Sequence, residues 1–148
     1  TGQDGEYQKG VAWPNPRFTD NLDGTVTDNL TGLMWAKDAC FAGFRNWTDA
    51  LAYANSLSLG SEGCSTSYSD WRLPNTNELI SLVDRSNHNL ALPTGHPFTN
   101  VKSDLHYWTS TTQVAYPNTA WRVGLDRGWV SPGYKVDPAY AWPVRGGN

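Results

Sequence analysis

The chain is poor in charge, in sulfur and in long apolar runs. Only 17% of its 148 residues are charged and the formal net charge is -3, so it has no sequence-wide basic field of the kind that suits nucleic acid or a polyanion. No apolar run approaches the roughly 20 residues of a membrane span. The opening Thr1-Gly2-Gln3-Asp4-Gly5-Glu6 lacks the apolar core of a secretory signal, and the expectation is a mature, soluble product whose signal has been removed. The three histidines, His88, His96 and His106, show no paired-ligand spacing, which speaks against zinc. Gly-x-Ser-x-Gly and Ser-x-x-Lys patterns are missing, and no helix follows Gly146-Gly147 to build a phosphate cradle. These absences favour a binding protein over an enzyme.

What the chain does have is aromatic bulk: 8 Trp, 7 Tyr and 4 Phe. A chain of this length buries roughly two thirds of its unfolded surface, enough for one core. There is no internal repeat or linker, so residues 17–148 read as one domain, preceded by an extended segment over 1–16. From Arg17 to Trp35 the pattern is an antiparallel meander. Phe18, Val26 and Leu33 to Trp35 are strand formers, and Asp23-Gly24 and Asp28-Asn29-Leu30-Thr31-Gly32 are turns. Apolar residues at Trp47, Ala50, Leu51, Ala54 and Leu57 predict a helix over 48–57. Asn75 and Glu78 form a capping-box pattern before Leu79, Leu82 and Val83, which predicts a second short helix. A long loop is expected over 87–104, a usual home for binding residues. A strand over 107–110 follows, then a hairpin of Trp121 to Leu125 with Trp129-Val130 about Asp126-Arg127-Gly128, and a last strand over 140–145. Alternation puts Trp121, Val123 and Leu125 on one face and Arg122 on the other.

Asp20, Asp23 and Asp28 invite a calcium hypothesis, and calcium is the one cofactor left open. Leu22 and Val26 break the alternation an EF-hand loop requires, while Asp beside Gly is also ordinary turn chemistry, so the structural reading is preferred. Cys40 and Cys64 flank the first helix, and a disulfide between them would close that excursion, a loop worth roughly 3 kcal/mol in the chain-entropy picture. The alternative is two buried thiols. Charge is unevenly spread. Asp4, Glu6, Asp20, Asp23 and Asp28 outnumber Lys9 and Arg17 near the start, while Arg122, Arg127, Lys135 and Arg145 outnumber Asp126 and Asp137 near the end. If Arg122, Arg127 and Lys135 converge beside Tyr134 and Tyr116, they can hold an anionic or neutral sugar by charge-assisted hydrogen bonds and ring stacking. The same asymmetry allows subunits to meet head to tail, which gives an oligomer or a filament.

Four ordered stretches carry a resemblance: the run to Trp35, Ser69-Asp70-Trp71-Arg72-Leu73-Pro74-Asn75-Thr76-Asn77-Glu78-Leu79, Tyr107-Trp108-Thr109-Ser110-Thr111, and Trp142-Pro143-Val144-Arg145-Gly146-Gly147. Together they resemble the domain that ends the Legionella collagen-like adhesin. The resemblance implies an α+β, C-type-lectin-like fold of short antiparallel strands, two small helices and much irregular loop, near the branch of the formylglycine-generating enzymes. It also implies an extracellular or cell-surface location, a glycan or cell-surface ligand (sulfated polysaccharide in the adhesin) and self-association as a trimer. Formylglycine-generating enzymes need reactive cysteines late in the domain, and this chain has none after Cys64.

Overall fold

The computed structural model describes residues 7, 10, 12–59 and 67–146. Within residues 12–59 and 67–146, two sheets and two short helices surround an aromatic core. The meander forms as its sequence suggests: β1 (Phe18–Asp20), β2 (Thr25–Asp28) and β3 (Met34–Ala36) pair antiparallel, with Asp20 opposite Val26 and Val26 opposite Trp35. After the two-residue β4 (Phe44–Arg45) comes helix α1 (Trp47–Ser56), one residue earlier than the spacing suggests because Asn46 caps it, its side chain accepting from the Asp49 N–H. Helix α2 (Thr76–Ser81) carries the complete capping box. The Asn75 side chain accepts from the Glu78 N–H at 2.9 Å, and the Glu78 carboxylate accepts from the Asn75 N–H at 2.7 Å.

The second sheet is built from β5 (His106–Thr112), β6 (Thr119–Gly124) and β7 (Trp129–Tyr134), with β8 (Ala139–Tyr140) and β4 completing the order β4-β8-β5-β6-β7. The single last strand expected over 140–145 is in fact two. Tyr140 lies parallel to Tyr107 in the large sheet, whereas β9 (Val144–Arg145) leaves to pair with β3. Pro143, which has no N–H to donate, sits at the crossing, and Trp142 beside it is fully buried with its indole N–H on the Ala36 carbonyl at 2.7 Å. The closing segment therefore joins the two sheets.

Both faces of the large sheet are covered. Tyr107, Val123 and Leu125 face the main core with Trp35, Trp71, Leu79, Leu82, Phe98 and Trp142. Trp108 and Ala120 face α1 through Ala50 and Ala54. The long stretch over 87–104 is irregular, but its work is structural. Ala91 and Leu92 are buried, the Ala91 N–H bonds the Leu125 carbonyl at 2.7 Å, and Phe98 packs edge-on against Trp142 with ring centroids 4.9 Å apart. Cys40 is a half-buried free thiol. Cys64 lies outside the described residues, as does the acidic pair Asp4 and Glu6, and with Cys64 the expected Cys40–Cys64 bridge.

Candidate functional site

The connection from β5 to β6 closes on itself. The Gln113 N–H bonds the Thr119 carbonyl, the Thr119 N–H bonds the Tyr116 carbonyl, and the Thr119 hydroxyl donates to the Gln113 side chain at 2.7 Å or the Tyr116 carbonyl at 2.8 Å. These bonds brace the loop from within. Against it runs the end of β7, and between the two is a cleft of about 580 Å³, within the roughly 300–1,000 Å³ of small-molecule sites. Tyr116 and Tyr134 stand on its walls, each 64% exposed. Arg122, Gly133 and Asp137 also line it.

Of the five residues read from sequence as ligand contacts, three meet here: Tyr116, Arg122 and Tyr134. Lys135 is a neighbour whose amine is turned away, lying 4.0 Å from the Trp47 ring centroid and donating to the Thr112 hydroxyl at 2.9 Å. Arg127 is not part of the group. It sits exposed in the turn between β6 and β7, at the opposite end of the hairpin from Thr119, because the register leaves Leu125 to Gly128 as the loop. Sequence reasoning missed Gln113, Asn118, Gly133 and Asp137. The Pro117-Asn118 pair signals a turn, but the hairpin strand expected opposite β6 covers only Trp129-Val130, and β7 runs on to Tyr134, opposite Thr119.

Arg122 takes its position from the strand. It lies opposite Trp108 and Ser131, on the α1-facing side of the sheet as alternation requires, with its guanidinium 5.5 Å from the Trp108 ring centroid. Only a glycine lets it cross β7. A Cβ on Gly133 would come within 2.2 Å of the Arg122 Nε and 2.3 Å of its Cζ. One end of the guanidinium reaches the Pro132 carbonyl at 3.4 Å, while Nε is buried with no hydrogen-bond partner among the described residues. His106, opposite Gly124, has its pKa lowered by burial first and by the Arg122 charge second, with Asp126 opposing.

The three aspartates proposed for calcium have separate occupations. Asp20 is ion-paired with Lys37 at 2.7 Å and accepts from the Leu22 N–H. Asp23 accepts from the N–H and hydroxyl of Thr25, closing the turn. Asp28 is buried with Arg17, at 3.4 Å, and accepts from the Leu30 N–H and the Thr31 hydroxyl. Among the described residues no group of three or more His, Cys, Asp or Glu side chains could hold a metal ion.

The motifs that carried the resemblance lie elsewhere, and they fasten the fold. Arg72 and Val144 exchange backbone hydrogen bonds at 2.9 Å, Arg72 makes a two-pronged pair with Glu78 at 2.8 and 2.7 Å, and its guanidinium also reaches the Gly146 carbonyl at 2.9 Å. Arg145 pairs with Asp70 at 2.6 and 3.1 Å across the Tyr68 ring. A search of the curated proteins finds no match. The family model of the Lcl C-terminal domain matches residues 24–145, from the first turn of the meander to the last strand, and the chain belongs to that family.

Proposed function

We propose that this domain is a non-enzymatic recognition module of an extracellular or surface adhesin, and that its ligand is a glycan held in the cleft between the 113–119 loop and β7. The observation that carries this reading is a pair of exposed tyrosines lining one cleft with an arginine, beside a loop braced by its own hydrogen bonds. Flat phenol rings cover the apolar faces of a sugar, and the guanidinium and the Gln113 and Asn118 amides offer hydrogen bonds to its rim. Membership of an adhesin domain family supports the class of function. Among the described residues no helix is long and apolar enough to cross a membrane.

Head-to-tail assembly through opposite charges has less to stand on. Asp20 and Asp28 are neutralised inside the subunit by Lys37 and Arg17, and Arg145 by Asp70. The test of the glycan reading is an array probed with the wild-type domain and with Tyr116→Ala combined with Tyr134→Ala. Array binding should disappear in the double variant while its melting temperature and sedimentation stay as in the wild type, because both rings are largely exposed. Equal binding by both proteins would place the ligand site elsewhere.

A further inference from the structure

We infer that the cleft selects a sugar carrying one carboxylate, a uronic-acid type of residue, and that Gly133 is the positioning residue that aims Arg122 at it; this rests on the glycan reading above. The charge content of the site carries the argument. Arg122 and Asp137 are the charged side chains lining the cleft. Lys135, the nearest other cation along the chain, is held on Trp47 and Thr112. One cation and one carboxylate cancel. A polysulfated chain needs several cations for its repeated charges and meets only Arg122 in the cleft, whereas a single carboxylate needs no more than that one. A neutral sugar gains no charge-assisted hydrogen bond from the guanidinium.

The guanidinium is held by packing more than by hydrogen bonds. Trp108 lies beneath it and Gly133 gives it passage, yet among the described residues one of its donors reaches a protein acceptor, the Pro132 carbonyl at 3.4 Å. With Nε buried, the two terminal nitrogens form the planar fork, and their remaining donors fit a carboxylate through two parallel hydrogen bonds. Asp137 makes no side-chain hydrogen bond or ion pair among the described residues, and as an acceptor it suits the hydroxyl groups of the same ring. The two tyrosines then take the ring faces. Gly133 is essential to this placement because any side chain there occupies the space of the Arg122 Nε and Cζ.

The experiment is a calorimetric titration of the full chain with three probes: a glucuronate-terminated oligosaccharide, its neutral glucose-terminated counterpart, and a heparin-type sulfated chain. The uronate probe should bind roughly ten- to a hundredfold more tightly than the neutral one, the range of a charged hydrogen-bonded pair. The advantage should shrink at high salt. Arg122→Gln should remove the preference, so that the uronate and neutral probes bind with equal affinity. Gly133→Ala should do the same with Arg122 still present, an outcome that a merely structural role would not give. Should the glycine variant fail to fold, Arg122→Lys takes its place: it keeps the charge, loses the planar fork, and should forfeit most of the advantage. Equal affinity for uronate and neutral probes, both lost in the double tyrosine variant, would overturn the carboxylate inference and leave the glycan reading standing. Tighter binding of the sulfated chain than of the uronate would overturn it as well. Failure of every glycan to bind would remove both.

Discussion

Arg17 and Asp28 show how a single residue pair can hold a meander to the rest of the molecule. Arg17 is 7% exposed and Asp28 fully buried, and besides Asp28 the guanidinium donates to the carbonyl of Ser81 at the end of α2. Removing one partner leaves an uncompensated buried charge, which costs about 3–5 kcal/mol. Asp28→Asn should therefore lower the urea midpoint by a large fraction of the total stability, without changing the dependence on urea concentration. Arg17→Met combined with Asp28→Leu should recover part of the loss, since no charge is then stranded. The hydrogen bonds of Asp28 to Leu30 and Thr31 are still missing in the double variant, so recovery is incomplete. A single variant as stable as the wild type would contradict the assignment.

Among the elements, α2 is the most dependent on its cap. It has only six residues, far below the length at which a helix stands alone in water, and the capping box satisfies donors that the first turn cannot. Glu78 does double duty, bonding the Asn75 N–H and Arg72, so the cap also reaches β9 through the Arg72–Val144 pairing. Asn75→Ala should cost about 1 kcal/mol, measurable as a lower melting temperature, whereas Asn77→Ala on the same helix should change it little. Both helices and the β6–β7 hairpin are legible in the sequence because caps and alternation are local signals. Gly128 in the hairpin turn has a φ of +73° and a Val83 methyl 2.3 Å from where a Cβ would be, so its turn chemistry and its packing require the same residue. The division of the closing segment into β8 and β9 is not legible. Tyr140 and Val144 are equally good strand residues, and the sheet each joins depends on where β5 and β3 already lie.

For the whole molecule, pH should act in two windows. Asp20 is held below the usual carboxylate range by its hydrogen bond to Lys37, and Asp70 by its hydrogen bond to Arg145. Burial pushes Glu78 up, but Arg72 and the Asn75 N–H outweigh it and leave it lowered. A carboxyl lower in the fold than in the unfolded chain contributes its stability above its unfolded value, near pH 4, and loses it as pH falls through the folded value. His96 and His106 are also lowered, both by burial first. The unfolded chain then binds their protons more readily, so stability falls as pH drops below about 6.5. Calorimetry across pH should show a flat melting temperature at pH 7–8, a shallow decline below about 6.5, and a steep one below about 4. His106→Asn should flatten the first decline. A melting temperature that rises between pH 6.5 and 5 would refute this account.

The sequence by itself determined the class of the fold and its local pieces: an α+β domain with a meander, two capped helices and a hairpin, each signalled by residues within a few positions of one another. The family resemblance was readable for the same reason, since its four stretches are contiguous motifs. Tertiary structure decided the site. Tyr116, Arg122 and Tyr134 come together because β7 returns antiparallel beside β6 in a register that sets Thr119 opposite Tyr134 and Arg122 opposite Ser131. Arg127 stays in the hairpin turn where the sequence already puts it, at the far end from Tyr134, and packing turns Lys135 onto Trp47. Composition counts these cations alike. Only three-dimensional placement separates the one whose donors remain available from those paired, remote or stacked, because hydrogen-bond capacity is consumed by neighbours that are distant in sequence.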